Sequence, residues 1–312
     1  METYISGINR IMAEELAKID DVVLFGENID TGSRISGMTR NLSVSGNGCI
    51  LNVGNCEATQ VGVGMGLMIN GVSSVMFSKQ LDFLLLGCDQ IVNTYNIVRL
   101  YEDFDSLGSF SVVTIICDQG YQGPQSSFNC LGDLSSMAQI PAYVITNADD
   151  ARIVFRHHFR TAGFRMICLS QRMWGKELKS PGIVAAEEDA SIIQYSIGDG
   201  VTIIVFNGAF EYGSELRDRL EVLGVSSELF GVNYSPVYNV EAIARSISKT
   251  RKVVFFDDSK SSNLALYRLR EMLPEAENAD IVVRRELTPA TCVSPDILHV
   301  NFESVISELG IK

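Results

Sequence analysis

Asn52-Val-Gly-Asn55-Cys-Glu57 leads straight into Ala-Thr-Gln-Val-Gly62-Val-Gly64-Met-Gly66. The glutamate stands at the mouth of a glycine-rich, otherwise apolar stretch, and Val61, Val63, Met65, Leu67 and Met68 behind it are core material. A carboxylate in that setting, with no basic residue near it in sequence, wants a hydrogen-bond partner and is suited to exchanging a proton with a ligand. The competing reading is an ordinary helix start, where negative charge is welcome anyway. Gly62 and Gly66 are four apart on one helical face. Each costs up to ~1 kcal/mol against alanine, a cost that close backbone approach by another helix, at a subunit contact, would offset.

These residues need a scaffold, and the pattern supplies one. Segments 22–26, 49–53, 112–117 and 165–169 are short and apolar on both faces, as strands of a covered parallel sheet are. Between them, Ile5, Ile8, Met12, Leu16 and Ile19 mark one face of a helix, a second helix is expected over 79–101, and a third from 149. A polar stretch after Trp174, with Lys-Ser-Pro-Gly at 179–182, reads as a boundary. A second alternation follows: strands at 201–206, 227–230 and 252–256, with helices at 211–223, 240–248, 261–272 and 303–309. The fold class is α/β, with two consecutive domains (1–185 and 190–312), each a largely parallel sheet covered by helices.

Composition narrows the function. The chain has 312 residues, 46% of them hydrophobic and 20% charged, enough for a large core. A net charge of −13 without a basic cluster argues against nucleic acid. No apolar run approaches the ~18 residues of a membrane span, and the N-terminus lacks a signal-type apolar core. The seven cysteines are scattered and mostly set in apolar runs, which reads as reduced thiols in a cytoplasmic protein, with no CxxC metal pair.

Gly26-Glu27-Asn28-Ile29, the Asn52 to Gly66 segment, Asp82-Phe83 and Asp89-Gln-Ile-Val-Asn93 together resemble the pyrimidine-binding domain of thiamine-diphosphate enzymes, the transketolase and 2-oxoacid dehydrogenase superfamily. The later half (segment 201–206, Val232-Asn-Tyr-Ser-Pro236, and Lys252 to Asp258) resembles the transketolase C-terminal domain. The layout is similar to the separate β subunits of two-component enzymes. Asn-Val-Gly before Glu57 leans toward split transketolases, and Asp89 to Asn93 toward oxoacid dehydrogenase β subunits.

The resemblance implies roles. Glu57 matches the glutamate that hydrogen-bonds a ring nitrogen of the cofactor's aminopyrimidine and so promotes formation of the ylid. Phe83, 26 positions later, has the spacing of the ring that stacks on the pyrimidine; a core aromatic is its plain alternative. Glu27 and Asn55 complete the expected cofactor-binding set, Glu27 acting near Glu57 across a subunit interface or standing as a solvated strand-end carboxylate. Gly198-Asp-Gly200 resembles the start of a magnesium–diphosphate motif, but it enters a strand and only Asn233 appears where the motif should close. A polar turn is the better reading. The chain thus lacks the diphosphate half of the site: thiamine diphosphate would be shared with a separate α subunit that holds Mg2+, in an α2β2 assembly, and this chain would bind no metal itself.

One departure matters. The family usually carries a histidine in the loop after the fourth strand, and this chain has none before His157. Gln125, Ser126, Ser127 and Phe128 occupy that loop and form the expected substrate pocket; none can replace imidazole as a base. The leading expectation is a β subunit that forms a carbanion–enamine from a 2-oxo acid or ketose and transfers an acyl or two-carbon unit. The alternative is a non-catalytic architectural or regulatory paralogue. A nucleotide-binding α/β protein is disfavoured, because no GxGxxG follows the first strand.

Overall fold

The computed structural model describes residues 1–101, 103–118, 129–260, 265–276, 280–284 and 298–311. The first half is a six-stranded, wholly parallel sheet in the order β2-β1-β3-β4-β6-β5. Its strands are β1 (Val23–Gly26), β2 (Cys49–Asn52), β3 (Ser74–Phe77), β4 (Ser109–Ile116), β5 (Ala142–Ile145) and β6 (Gly163–Ser170). The helices of this half are α1 (Tyr4–Leu16), α2 (Glu57–Ile69), α3 (Tyr95–Tyr101), α4 (Leu131–Ala138) and α5 (Ala148–His158). β4 and β6 are buried along their whole length, as their unbroken apolar runs require of strands covered on both faces.

The second half is another six-stranded sheet, ordered β12-β11-β9-β10-β8-β7. It comprises β7 (Ala185–Ala186), β8 (Ile192–Gln194), β9 (Val201–Phe206), β10 (Ser227–Val232), β11 (Val253–Asp257) and β12 (Asp280–Arg284). Helices α6 (Phe210–Val222), α7 (Glu241–Thr250), α8 (Ala265–Glu271) and α9 (Phe302–Glu308) accompany it. β9 to β12 run parallel, while β8 and β7 attach antiparallel at one edge.

The helix expected over 79–101 is not one helix. It is a 3₁₀ segment (Leu81–Gly87), a π-helical turn (Gln90–Thr94) and then α3. The cause is tertiary. A side-chain carbon on Gly87 would lie 2.8 Å from Val61 Cγ2, so this stretch winds tightly over α2 instead of running past it. The strands β3, β5, β7, β8 and β12, each five residues or fewer, were not anticipated.

The two halves share their cores. One apolar cluster joins Tyr4, Val113 and Phe155 of the first half with Ile203, Leu220 and Phe256 of the second. The seam brings together the carboxyl ends of strands from both sheets. Ala142 pairs with Tyr234, and Val144 N–H donates to Asn233 Oδ1 at 3.0 Å.

Candidate functional site

In the order β2-β1-β3-β4, the chain leaves β1 toward β2 but leaves β3 toward β4. Connections that diverge in this way open a crevice at the carboxyl edge of the sheet, where ligands of open α/β folds are held. Glu27 follows β1, Glu57 follows β2, and Phe83 follows β3, so all three stand along that edge. Gly26 permits the closeness of β1 and β3: a Cβ there would sit 2.3 Å from the Phe77 carbonyl oxygen. Asn52 Oδ1 accepts from Ile29 N–H at 3.0 Å and ties the end of β2 to the turn after β1.

Glu57 is the first residue of α2 and is only 8% exposed. Among the described residues its carboxylate has no hydrogen bond and no ion pair. The position favours a negative charge through the N–H groups of the helix's first turn. The turn before it is open: Gly54, Asn55 and Cys56 are exposed, and Gln60 Nε2 holds the Gly54 carbonyl at 2.8 Å. A buried carboxylate beside an open turn, lacking a protein donor, is arranged to accept one from outside.

Phe83 is half-buried on the 3₁₀ segment, its N–H donating to Gln80 O at 3.2 Å. Gly87, ending that segment, approaches the first turn of α2: a Cβ there would lie 3.5 Å from Glu57 O. The segment carrying Phe83 is thus docked against the turn carrying Glu57. Glu27 is half-buried and accepts from Asn28 Nδ2 at 3.1 Å. Gln125, Ser126, Ser127 and Phe128 lie outside the described residues.

The glycines of α2 divide between two faces. Gly64 is packed on Phe110, where a Cβ would meet ring atoms at 2.1 Å. Gly66 has nothing within 4 Å, Gly62 only Gln90 Cγ at 3.8 Å, and Val63 beside them is 49% exposed. Leu85 and Leu86, on the segment packed against α2, are exposed as well.

Sequence reasoning missed the acidic groups gathered behind this edge. Asp82 is buried beside the Cys117 thiol; burial first, and Asp82 next, push that thiol up to about 12. Asp118, two residues beyond β4, accepts from Ser170 Oγ at 2.5 Å and Arg172 N–H at 2.9 Å. Arg172 then pairs with Asp258 at the end of β11, and its guanidinium is 3.9 Å from Asp118. Burial raises the Asp118 carboxyl, and Arg172 opposes that rise. The available signal was an Asp pair closing an apolar strand and an arginine just past another. His158 is buried: Nε2 lies 2.8 Å from Asp189 O, and burial holds its pKa well below the usual histidine range. Gly198-Asp-Gly200 is a turn into β9, with Asp199 Oδ1 accepting from Ser226 Oγ at 2.7 Å.

The fold and edge define an α/β protein with paired, largely parallel sheets and a largely buried carboxylate at a strand-to-helix turn. No protein-family model matches the chain. The β subunit of the pyruvate dehydrogenase E1 component of Caenorhabditis elegans, a mitochondrial protein, is 22% identical over 268 residues, covering 81% of this chain and 73% of that one. The 2-oxoisovalerate dehydrogenase β subunit of Bacillus subtilis is 21% identical over 285 residues, covering 84% and 81%. Among solved structures, a split-gene transketolase in an inactive β4 tetramer superposes with a TM-score of 0.67 at 15% identity, covering 97% of this chain and 95% of that one. These relatives bear out the resemblance to β subunits of the thiamine-diphosphate superfamily, and the two-sheet α/β fold is that of the split transketolase. Among the described residues, no helix is long and apolar enough to cross a membrane.

Proposed function

We propose that the chain is the β subunit of a heteromeric thiamine-diphosphate enzyme acting on a 2-oxo acid or ketose and transferring an acyl or two-carbon unit. The observation that carries this reading is Glu57: buried, without a protein partner among the described residues, at the carboxyl edge beside the segment of Phe83. That orphaned carboxylate fits an aminopyrimidine, which offers a ring nitrogen able to share a proton with it. Bound thiamine diphosphate would supply the nucleophilic carbon and the electron sink. Glu57 would hold the shared proton on the ring nitrogen, Phe83 would stack on the ring face, and Glu27 and Asn55 would line its approach. Gln125, Ser126, Ser127 and Phe128 are assigned to the substrate side by sequence position alone. Diphosphate and Mg2+ would be held by an α subunit in an α2β2 complex. The uncovered Gly62–Gly66 face of α2 supports a close helix contact with that partner.

The absence of any histidine before His157 favours a second reading, a non-catalytic paralogue that assembles with an α subunit. One experiment separates the two: the complex is reconstituted with the chain carrying the diphosphate half, and cofactor-dependent consumption of 2-oxo acids and ketoses is followed with wild-type and Glu57→Ala subunits. Turnover lost in the variant supports catalysis. Turnover unchanged in the variant ends the catalytic reading, and a fully assembled wild-type complex with no turnover supports the paralogue.

A further inference from the structure

The open turn ahead of α2 carries a reactive group that the proposed chemistry does not use. Cys56 is the N-cap residue of α2, directly before Glu57, and is exposed together with Gly54 and Asn55. A Cβ on Gly54 would meet nothing within 4 Å, so the turn is unobstructed there. Cys56 Sγ lies 3.0 Å from Thr59 Oγ1, three residues on. That bond lowers the thiol from its usual range, and the neighbouring Glu57 charge opposes it. The start of a helix also favours a negative sulfur.

The buried thiols differ. Burial pushes Cys117 and Cys130 up to about 12 and Cys168 well above the usual thiol range. Those three stay protonated near neutral pH, and the thiolate, not the thiol, is the nucleophile. An exposed thiol by itself says little; the residue beside it points to a ligand. Glu57 is 8% exposed and has no hydrogen bond or ion pair among the described residues, yet its carboxylate oxygens are not closed off from water. Its charge acts on the Cys56 thiol, so the buried acid and the exposed sulfur share one opening. Whatever bonds to the sulfur stands at the entrance to the carboxylate.

We propose that Cys56 is a modification site for small-molecule disulfides of the glutathione class, and that the adduct closes the Glu57 turn to ligand and partner. The Cys56 thiolate attacks one sulfur of the disulfide. A bond from Cys56 Sγ to that sulfur forms, the original sulfur–sulfur bond breaks, and the other half leaves as a thiolate that takes up the proton Cys56 gave up. The cysteine is oxidised and the small disulfide reduced; a second free thiol reverses the exchange. The modification follows from the surroundings of Cys56 alone. What the adduct blocks rests on the reading of the Glu57 turn as a cofactor and partner site.

The test uses the full chain. Wild type, Cys56→Ser and Thr59→Val are incubated with oxidised glutathione from neutral to alkaline pH, and adducts are located by peptide mass. Wild type should gain glutathione on Cys56, removable with dithiothreitol, and Cys56→Ser should gain none at that position. Thr59→Val, lacking the hydroxyl beside the sulfur, should react about threefold more slowly at neutral pH, with its rate profile displaced upward in pH. Treated and untreated chains are then mixed with the chain carrying the diphosphate half and thiamine diphosphate, and association is followed by ultracentrifugation. The adduct should weaken association by about tenfold or more, dithiothreitol should restore it, and treated Cys56→Ser should associate like untreated wild type. No adduct on Cys56, or Thr59→Val reacting as fast as wild type, overturns the modification site. Undiminished association of the adducted chain overturns the closing of the turn. An adduct on Cys56 in a chain that never associates with such a partner upholds the modification site and refutes the reading of the turn, and the closing falls with that reading.

Discussion

Replacing Glu57 with glutamine changes one atom and removes one charge, so packing is conserved and the two effects of the carboxylate separate. Two terms set its contribution to stability. A negative group at a helix N-terminus gives ~0.3–1 kcal/mol. Against this, partial burial of a charged group without a protein partner among the described residues costs at most ~1–3 kcal/mol, and less at Glu57, whose residue is 8% exposed and whose carboxylate oxygens are not closed off from water. The two terms are of similar size. Glu57→Gln should therefore leave the isolated chain within about 1 kcal/mol of the wild type, read as the urea midpoint at unchanged slope. Catalysis should respond far more strongly. A proton-transfer group contributes ~10²–10⁴-fold in rate, about 2.7–5.4 kcal/mol of barrier, so turnover of the reconstituted complex should fall by that factor. Lost activity with undiminished stability is the signature of a residue kept for function. The reasoning is refuted if the variant complex retains turnover within about tenfold of wild type. It is refuted equally if the isolated variant loses more than about 2 kcal/mol, which would make the carboxylate a structural element.

Gly64→Ala should cost about 1–3 kcal/mol, since the new carbon meets Phe110 at 2.1 Å, whereas Gly66→Ala, in open space, should stabilise the isolated chain by up to ~1 kcal/mol yet weaken assembly with the partner; urea unfolding and analytical ultracentrifugation read the two effects. Arg172→Met removes the cation that pairs with the buried Asp118 and Asp258 and should lower stability by about 3–5 kcal/mol in the same unfolding assay. Burial pushes Asp150 up to about 7; because the folded state then keeps a proton that the unfolded chain has released, this group's contribution is full below pH 3.8 and is lost as pH rises toward 7. Unfolding followed across that range should show the decline and a flatter profile in Asp150→Asn. Cys56 is exposed, and its hydrogen bond with Thr59 Oγ1 at 3.0 Å lowers its thiol pKa, while burial raises Cys117, Cys130 and Cys168. Among the six described cysteines iodoacetamide should label Cys56 first, as read by peptide mass mapping, and bound cofactor should slow that labelling.

What could be read from the sequence follows the range of the forces involved. β9 was placed to the residue because its six positions are all buried and all but Thr202 apolar, a local property. α1 declared itself through one-sided apolar spacing, while α5, expected from 149, starts at Ala148 behind an Asn147–Asp150 capping box that the structure reveals. The 79–101 stretch misled for the opposite reason: its apolar spacing suits an α-helix, but contact with Val61 decides its winding, and that contact is not local. At the site, Glu57 stood out because a charge opening an apolar run is locally anomalous. The Asp118–Arg172–Asp258 link was invisible, since its partners are 54 and 86 positions apart and each looks like a surface residue on its own.

The arrangement of the two sheets also explains why the site is open where it is. The carboxyl ends of β4, β5 and β6 are closed off by those of β9, β10 and β11, through Arg172 and Asn233 at the seam. Among the described residues the second half therefore caps one end of the first sheet's carboxyl edge and leaves the β2-β1-β3 end uncapped. At that end lie the exposed Asn55, Leu51 and Val63, the open face of Gly66 and the unpartnered Glu57 carboxylate. A partner that covers α2 removes apolar surface from water and excludes water from the Glu57 turn in the same step. Dehydration strengthens whatever bond Glu57 makes to a ligand. Ligand and partner then bind with a shared coupling energy, and by linkage each must tighten the other by the same factor. On this reasoning thiamine diphosphate should sharpen the association of the partner with the wild-type chain and leave that with Glu57→Ala unchanged, even under conditions where no substrate turns over.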